Sequence, residues 1–453
     1  MTEHPKIPLI RATYRLQLHA GFTLEAARKL VPYFRSLGIS HLYLSPISRA
    51  SAGSEHGYDV LDHNQVNPEL GGLGALYALA EATASNGMGL LLDFVPNHVG
   101  LANGQNPWWQ DVLRYGTHSP YAQYFDIDWD SQPQMATGVL VYPILGAPFG
   151  VALENGDLHL GIENNELVVC YYEHRLPLRP ESYQTVVGIP PIELASEVHS
   201  EASLPELVDI LDGLGTAARE HSEVFLNRFR AVLAAEPPIA EFVRKRVEGL
   251  NGVAGQPASF DRLEAILDSQ HYRLAYWRIA GEELNYRRFF DVNSLAAIRV
   301  EREEVFDTIH ALLFELVASG ILAGLRLDHI DGLYDAPSYL GRLRDVIESQ
   351  RPDGQPAFPI YVEKILAHDE DLPLTWPVDG ATGYEFMARV DGLFVDPVAG
   401  EALTDSYQRF LGAPIRYRQR VYESKREIAS TSFAGEISVL AIQLHRLAQR
   451  TRI

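Results

Sequence analysis

The sequence predicts an α/β fold of the (β/α)8 TIM-barrel type, with barrel strands 1–6 present and a large mixed α/β insertion after strand 3. Three observations predict it. Short β-like runs alternate with amphipathic helical patterns over the first hundred residues, and the same alternation returns after residue 300. About two hundred residues of different composition separate these two stretches. Alternating strands and helices imply parallel strands that are joined by right-handed crossovers.

Glycines mark the ends of the two helical runs in the first hundred residues. Each run of apolar residues at helical spacing stops at a glycine, Gly38 or Gly87, as is typical of a helix C-cap. The chain therefore opens as strand, helix, strand, helix, strand. In order, the predicted elements are strand 12–18, helix 26–37, strand 39–44, helix 73–85 and strand 88–95.

The alternation resumes with a helix that carries one continuous apolar stripe before Gly320. Between the two stretches, aromatic and proline-rich sequence gives way to short strands and then to helices, which indicates an insertion. The later predicted elements are helix 305–317, strand 322–327, helix 338–348, strand 358–362, a candidate sixth strand at 388–395 and a last helix at 435–449. We predict three regions: 1–100, the first part of the barrel; 101–300, the insertion; and 301–453, the second part of the barrel, with the C-terminal remainder missing.

Composition excludes several classes of function. Lys and Arg number 38 against 59 Asp and Glu, a balance that argues against binding nucleic acids or anionic membranes. Cys170 is the only cysteine, which excludes an internal disulfide and a Cys-rich zinc site and favours a reducing, cytoplasmic location. No apolar run approaches the roughly 20 residues of a membrane span, and the first residues lack a secretory signal. We expect no metal and no cofactor.

Three predicted strands each deliver a carboxylate at the carboxyl end: Asp93, Asp328 and Glu363. In a parallel barrel, catalytic residues lie at this end because the loops there converge on one mouth. Glycoside chemistry with retention needs a nucleophile and an acid/base about 5–5.5 Å apart, and carboxylates on neighbouring strands suit it. Asp328 and Glu363 fit these two roles. For any single Asp at a strand end, the alternative is a helix cap or a loop salt bridge, and Asp93 is typical of a residue that orients a loop or an arginine.

Arg326 lies two residues before Asp328 and on the same face of the strand. Its positive charge is expected to keep Asp328 ionised, since a nearby cation lowers the pKa of a carboxyl group. Glu363 must instead carry a proton at the first step of the reaction. The two carboxylates are therefore expected to differ in protonation.

The strand-end motifs resemble, in order and register, the first three signature regions of the α-amylase family. Further motifs resemble one branch of that family, the malto-oligosyltrehalose synthases, nearly end to end. These motifs are Ala12-Thr13-Tyr14-Arg15-Leu16-Gln17-Leu18, Ser54-Glu55-His56-Gly57-Tyr58-Asp59-Val60, Asn67-Pro68-Glu69-Leu70-Gly71-Gly72, Arg287-Arg288-Phe289-Phe290-Asp291-Val292-Asn293 and Thr382-Gly383-Tyr384-Glu385-Phe386.

The resemblance implies an intramolecular transglucosylation in which the reducing-end α-1,4 bond of a malto-oligosaccharide becomes an α,α-1,1 bond. It makes Asp328 the nucleophile and Glu363 the acid/base. Two rivals stay open: another retaining α-glucan hydrolase or transglycosylase that uses the same carboxylates, and a non-catalytic glucan-binding fragment. The predicted substrate-binding residues are Tyr58, for which the resemblance speaks, and six residues that are predicted from their positions at the strand ends: Asp93, Asn97, His98, Arg326, His329 and Lys364.

Several of these assignments have structural alternatives. Tyr58 falls in the His-Gly-Tyr-Asp stretch where the family places an aromatic platform beside the nucleophile. Asn97 and His98 fit loop polar groups equally well, and His329 and Lys364 fit capping groups at the strand ends. Aromatic residues of the insertion, at 106–109 and 121–129, are candidates for stacking on sugars beneath a lid. For Trp109 and Phe125 the structural alternative, a place in the core of the insertion itself, is favoured. Arg287 and Arg288 are expected to bind either sugar hydroxyls or acidic residues of the insertion.

The family has a fourth region, a Thr-His-Asp stretch after strand 7, which supplies a third carboxylate. No such stretch appears before Ile453. We therefore expect the chain to be incomplete at its C-terminus and to have little or no turnover alone. Either a longer reading frame or a second chain is expected to carry the missing part.

Overall fold

The computed structural model describes residues 9–101, 104–130, 138–200, 202–216, 218–352, 354–414 and 416–450. The chain forms two compact units, each built from two separate stretches of sequence. The first unit comprises the described residues of 1–100 and 297–431, and the second comprises those of 101–296 and 432–453.

The first stretch of the first unit follows the predicted alternation. Its first helix begins where the Thr23 side chain accepts a hydrogen bond from the backbone of Ala26, and it buries Val31 and Phe34. The elements are β1 Thr13–Leu16, α1 Leu24–Ser36, β2 His41–Leu44, β3 Ser48–Ala50, β4 Val60–Val66, α2 Gly72–Ser85, β5 Gly89–Phe94 and β6 His98–Gly100.

The second unit begins with a helix whose N-cap is Asn106, which accepts from the backbone of Trp109. Its strands are β7 Leu140–Leu145, β8 Leu158–Glu163, β9 Glu166–Tyr171, β10 His174–Pro177, β11 Tyr272–Tyr276, β12 Arg288–Phe289 and β13 Val292–Ala297. Its helices are α3 Pro107–Tyr115, α4 Phe149–Glu154, α5 Ser182–Val187, α6 Ser203–Thr216, α7 Arg219–Ala235, α8 Pro237–Leu250, α9 Asp261–Asp268 and α10 Ala280–Glu283.

The chain then returns to the first unit. The helix predicted at 305–317 buries the expected stripe and spans two further residues at its start and one at its end. The elements are α11 Glu303–Ala318, β14 Gly324–Leu327, α12 Ala336–Ser349, β15 Ile360–Val362, β16 Gly380–Ala381, α13 Tyr384–Gly392, α14 Gly400–Leu411 and α15 Tyr417–Ser430. The last helix, α16 Ala434–Arg450, packs on α10 and belongs to the second unit.

One sheet organises the first unit. Its six strands run in the order β1-β2-β5-β14-β15-β16, and every neighbouring pair is parallel. Helices α1, α2, α11 and α12 connect successive strands. This architecture fits part of a (β/α)8 barrel. It places the carboxyl ends of β5, β14 and β15 side by side, with Leu327 opposite both Phe94 and Val362.

The candidate sixth strand at 388–395 is wrong. These residues begin within helix α13, and the strand that pairs with β15 is the two-residue β16, Gly380–Ala381. A short apolar run does not distinguish a strand from a helix by periodicity. A strand made of a glycine and an alanine has no apolar run that would reveal it.

Helices α13, α14 and α15 contain no buried residue among those described. Large apolar side chains on and between them are exposed, with Phe394 at 87% and Phe410 at 85% of full exposure. This is much more apolar surface than scattered single residues provide. Within the described residues, none of the helices has the length and apolarity that crossing a membrane requires.

Candidate active site

Two catalytic candidates lie next to each other at the carboxyl edge of the sheet. Asp328 directly follows β14, and its backbone N–H donates to the carbonyl of Phe94 at the end of β5, 2.8 Å away. Glu363 directly follows β15, and its N–H donates to the carbonyl of Leu327, 2.9 Å away. The parallel ladder therefore continues into both residues and brings them to the same level.

The guanidinium group of Arg326 contacts all three strand-end carboxylates. Its Nη1 atom donates to Oδ1 of Asp93 at 2.7 Å and to Oδ1 of Asp328 at 2.6 Å. Its Nη2 atom lies 3.2 Å from Oε1 of Glu363. Because Arg326 and Asp328 are only two residues apart on one strand, their side chains share a face. One arginine thus holds the three carboxylates together, and we name Asp93, Asp328 and Glu363 the carboxylate cluster.

Asp93 is fully buried and accepts hydrogen bonds from four side chains. Arg326 bonds to Oδ1, while Oδ2 accepts from Arg15 Nη1 at 2.9 Å, from the Tyr58 hydroxyl at 2.6 Å and from the Tyr43 hydroxyl at 3.0 Å. A buried carboxylate with this many donors is a structural anchor. In the structure Asp93 orients arginines, which is the alternative considered for it from the sequence.

Arg15 and Tyr43 are members of the site that sequence reasoning missed. They lie on β1 and β2 and are direct partners in the parallel ladder, with the Arg15 guanidinium carbon 4.5 Å from the centre of the Tyr43 ring. For Tyr43 strand alternation gives a signal, because this polar residue lies between the buried Leu42 and Leu44 of β2. Arg15 gives no such signal, because the preceding residue, Tyr14, is exposed.

Tyr58 is held by its hydroxyl group, which donates to Asp93 and accepts from Arg15 Nη2 at 2.8 Å. Burial raises the pKa of Tyr58, so the phenol stays neutral and can donate. The preceding residue, Gly57, has φ 79°, and a Cβ there would lie 2.7 Å from the carbonyl oxygen of Pro46. Only glycine fits this turn, which sets the position of the Tyr58 ring.

Glu363 is fixed at both carboxylate oxygens. Oε1 faces Arg326, and Oε2 accepts from the backbone N–H of His329 at 2.8 Å. His329 adopts a left-handed conformation, φ 46°, which costs a non-glycine residue of the order of 1 kcal/mol. That conformation aims its N–H at the acid/base candidate. The side chain of Glu363 is 22% exposed, more than those of Asp93 and Asp328, which suits a group that exchanges protons.

Lys364 lies between two carboxylates of the neighbouring loops. Its Nζ atom is 3.2 Å from Oδ1 of Asp331 and 3.1 Å from Oε1 of Glu370, and the hydrogen bond to Glu370 raises the pKa of Lys364. Asn97 and His98 are both buried, and Nδ2 of Asn97 lies 3.3 Å from Nδ1 of His98. These three residues therefore have protein partners, and Lys364 forms ion pairs with loop residues rather than the strand-end cap considered for it from the sequence.

Burial changes the expected protonation of Asp328. Loss of hydration raises the pKa of Asp328 to about 7, with the Asp93 and Glu363 charges adding to the rise, while Arg326 acts against it. Arg326 lowers the pKa, which is the direction expected from the sequence, but the effect of burial is larger.

We expect Asp328→Asn to stabilise the fold at alkaline pH. A folded-state pKa that is raised from 3.8 to about 7 favours the protonated form, so the stability from this group is complete below pH 3.8 and is lost as the pH rises through 7. Asparagine mimics the neutral form at every pH. The melting temperature of the variant should exceed that of the unmodified chain at pH 8 by roughly 2–6 °C, corresponding to about 1–2 kcal/mol, and by much less at pH 4.5.

The matched control for this measurement is Asp369→Asn, because the Asp369 side chain is 98% exposed. It should leave the melting temperature unchanged at both pH values. A melting temperature for Asp328→Asn at pH 8 that equals or falls below that of the unmodified chain would contradict the burial argument.

In the second unit, the insertion aromatics divide into core and surface. Trp109 and Phe125 are buried with their ring centres 4.9 Å apart, as expected if they belong to the core of the insertion. Trp108 and Tyr121 are half-buried and stack with an interplanar angle of 20°. Both rings also pack edge-on against Tyr124.

The two neighbouring arginines of the second unit pair with protein groups. Arg287 Nε lies 3.0 Å from Oδ2 of Asp126, and Arg288 is buried with Nε 3.3 Å from Oε1 of Glu436. Pairing with acids is thus the alternative that the structure shows for both. Over the part of the chain that the structure describes, no three or more His, Cys, Asp or Glu side chains are grouped so as to hold a metal ion.

Comparison with known proteins shows which proteins this chain is similar to. Residues 24–143 match the model of the α-amylase catalytic domain. A putative maltooligosyl trehalose synthase of Mycobacterium tuberculosis strain CDC 1551 / Oshkosh is 35% identical over 96% of this chain and 44% of its own length. The chain thus spans less than half the length of the curated relative that it matches.

Solved structures of similar proteins agree with the sequence comparison. The maltooligosyltrehalose synthase from Arthrobacter ramosus superposes with a TM-score of 0.70 at 36% identity, over 96% of this chain and 45% of that one. The DSM5389 glycosyltrehalose synthase gives a TM-score of 0.72 at 31% identity, over 96% and 48%. The resemblance predicted from the motifs is confirmed: this chain is related over nearly its whole length to the maltooligosyl trehalose synthases of the α-amylase family.

Proposed function

We propose that this chain carries the catalytic pair of a retaining transglucosylase that converts the reducing-end α-1,4 bond of malto-oligosaccharides into an α,α-1,1 bond. The observation that carries the proposal is the pairing of Asp328 and Glu363, which end neighbouring strands against one guanidinium group. The named relatives support the choice of substrate and product. The product is a maltooligosyl trehalose.

In the first step of the proposed mechanism, a carboxylate oxygen of Asp328 attacks the anomeric carbon of the penultimate glucose. The bond from that carbon to O4 of the reducing-end glucose breaks, and Glu363 donates a proton to the departing oxygen. The result is a covalent glycosyl ester on Asp328. The glucose that has been cleaved off is no longer linked to the glucan but stays in the site. Arg326 stabilises the Asp328 carboxylate before the attack.

In the second step, the retained glucose turns and presents its anomeric hydroxyl group. Glu363, now ionised, removes the proton from that hydroxyl, whose oxygen attacks the anomeric carbon of the ester and releases Asp328. Two inversions give net retention at the transferred sugar. Water competes in this step, so the outcome depends on how well the site excludes it.

The remaining site residues have supporting roles in the proposal. Tyr58, locked by Asp93, gives the sugar at the nucleophile an aromatic face. Asn97, His98, His329 and Lys364 contact or orient groups that contact the sugars.

We also propose that further polypeptide completes the first unit. The exposed apolar residues of α13 to α15 support this, because such surface is normally covered by protein. That polypeptide, in a longer chain or a second one, would bring the third carboxylate that the α-amylase family resemblance predicts. A cytoplasmic location remains a prediction from the single cysteine.

Incubation with maltopentaose tests the proposed function. The intact protein, purified from the cells that produce it, should consume reducing ends without releasing glucose. The non-reducing product should resist reduction by borohydride. Release of glucose together with new reducing ends would indicate a hydrolase instead. Binding of maltoheptaose by calorimetry with no product would indicate a non-catalytic glucan-binding protein. The 453-residue chain, assayed in parallel, should show little or no turnover.

A further inference from the structure

Arg15 adds a second positive charge to the carboxylate cluster without touching either catalytic residue in the structure. Its guanidinium group bonds to Oδ2 of Asp93, on the opposite side of that carboxylate from Arg326, which bonds to Oδ1. It also donates to the Tyr58 hydroxyl. Arg15 therefore acts on Asp328 and Glu363 only through Asp93.

Arg15 lowers the excess of negative charge around the site. Three carboxylates and the single guanidinium of Arg326 would leave two net negative charges in a buried region, which is costly. Arg15 lowers this excess to one. A smaller excess of negative charge favours the carboxylate form of Asp328, which is the form that attacks in the proposed first step.

We propose that Arg15 is a positioning residue whose positive charge beside Asp93 favours the ionised, reactive form of Asp328. This inference rests on the proposed function and adds the control of protonation at the same site. It assigns a role to a residue on a strand that contributes no catalytic side chain.

Arginine, tyrosine and carboxylate side chains surround Asp93 and Asp328. Asp93 is contacted from four elements or loops by two arginines and two tyrosines, and Asp328 is contacted by Arg326 and influenced by Asp93 and Glu363. Burial raises the pKa of both tyrosines, which leaves them neutral. The other ionisable groups are Arg15, Asp93, Arg326, Asp328 and Glu363. Of the two arginines, Arg15 is the one that can be removed without breaking a contact to Asp328 or Glu363.

The test compares three variants in the protein as its cell makes it. Arg15→Met removes the charge but keeps an unbranched side chain against the Tyr43 ring, and the one-third exposure of Arg15 makes it tolerable to the fold. Arg15→Lys keeps the charge. Tyr43→Phe removes a hydrogen bond to the same oxygen, Oδ2 of Asp93, without changing any charge.

The readout is the pH profile of kcat/KM for the conversion of maltopentaose. In Arg15→Met the acidic limb should move up by about one pH unit, because an uncompensated Asp93 makes ionisation of Asp328 harder. Arg15→Lys should restore most of the profile, and Tyr43→Phe should lower activity without moving the limb. An unmoved limb in Arg15→Met, or an equal movement in Tyr43→Phe, would overturn the inference.

A failure of the proposed function would look different. If the unmodified protein does not act on malto-oligosaccharides, the inference is tested by melting temperature instead. Arg15→Met should then lose more stability at pH 8 than at pH 5, since Asp328, whose pKa is raised to about 7, adds its negative charge to the cluster at the higher pH, whereas Tyr43→Phe should lose the same at both. Equal losses for Arg15→Met at the two pH values would overturn the charge argument.

Discussion

Asp328→Asn should lower kcat for the proposed transglucosylation by about ten-thousand-fold or more, with KM within a few-fold of its original value. The amide is a poor nucleophile and cannot form the glycosyl ester, so the double displacement has no first step. The assay is loss of reducing ends from maltopentaose in the protein as its cell makes it. Retention of more than about 1% of kcat would show that another residue is the nucleophile.

The Glu363→Gln variant distinguishes the role of the acid/base from that of the nucleophile. It should also abolish turnover of maltopentaose, but cleavage of an α-maltosyl fluoride, whose leaving group needs no proton, should persist in the first step. Asp328→Asn should cleave neither substrate. Asp369→Asn, which removes an exposed carboxylate in the loop after Glu363, is the matched control and should behave as the unmodified protein. Loss of fluoride release in Glu363→Gln would contradict its assignment as acid/base.

Arg326→Met should destabilise the first unit by about 3–5 kcal/mol at pH 8, because it leaves the buried carboxylates of Asp93 and Asp328 without their shared cation. The loss should be smaller at pH 5.5. The carboxylates take up protons more readily once the cation is gone, so the variant regains stability as the pH falls. Urea unfolding at the two pH values measures the difference.

The control for Arg326→Met is Arg35→Met, which removes an exposed arginine from the last turn of α1. It should change the free energy of unfolding by less than about 0.5 kcal/mol at either pH. If Arg326→Met cost no more than the control, or cost the same at pH 5.5 and pH 8, the cluster would not depend on this arginine.

Local patterns were sufficient to predict the central strands and the carboxylates that follow them. Strand ends at Asp328 and Glu363 follow from short apolar runs, and a parallel sheet brings successive ends to one edge. The helices α1, α2, α11 and α12 follow from apolar spacing and from their glycines or prolines. Each of these inferences uses residues that are close together in the sequence.

Features that depend on distant residues were not predictable in the same way. Arg15 reaches Asp93 across 78 positions of sequence, and no local pattern indicates that contact. The raised pKa of Asp328 is the balance of burial against a shared arginine, which requires the packed structure. Strand β16 lacks apolar residues and is recognised only by its pairing with β15.

The most direct test of the central claim is to trap the glycosyl enzyme. Glu363→Gln, incubated with a 5-fluoro-α-glucosyl fluoride, should accumulate a covalent adduct because formation of the ester needs no acid whereas its breakdown needs the base. Mass spectrometry of proteolytic peptides should place the added fluoroglucosyl mass on Asp328. An adduct on any other residue, or rapid fluoride release with no adduct, would contradict the assignment of Asp328 as nucleophile.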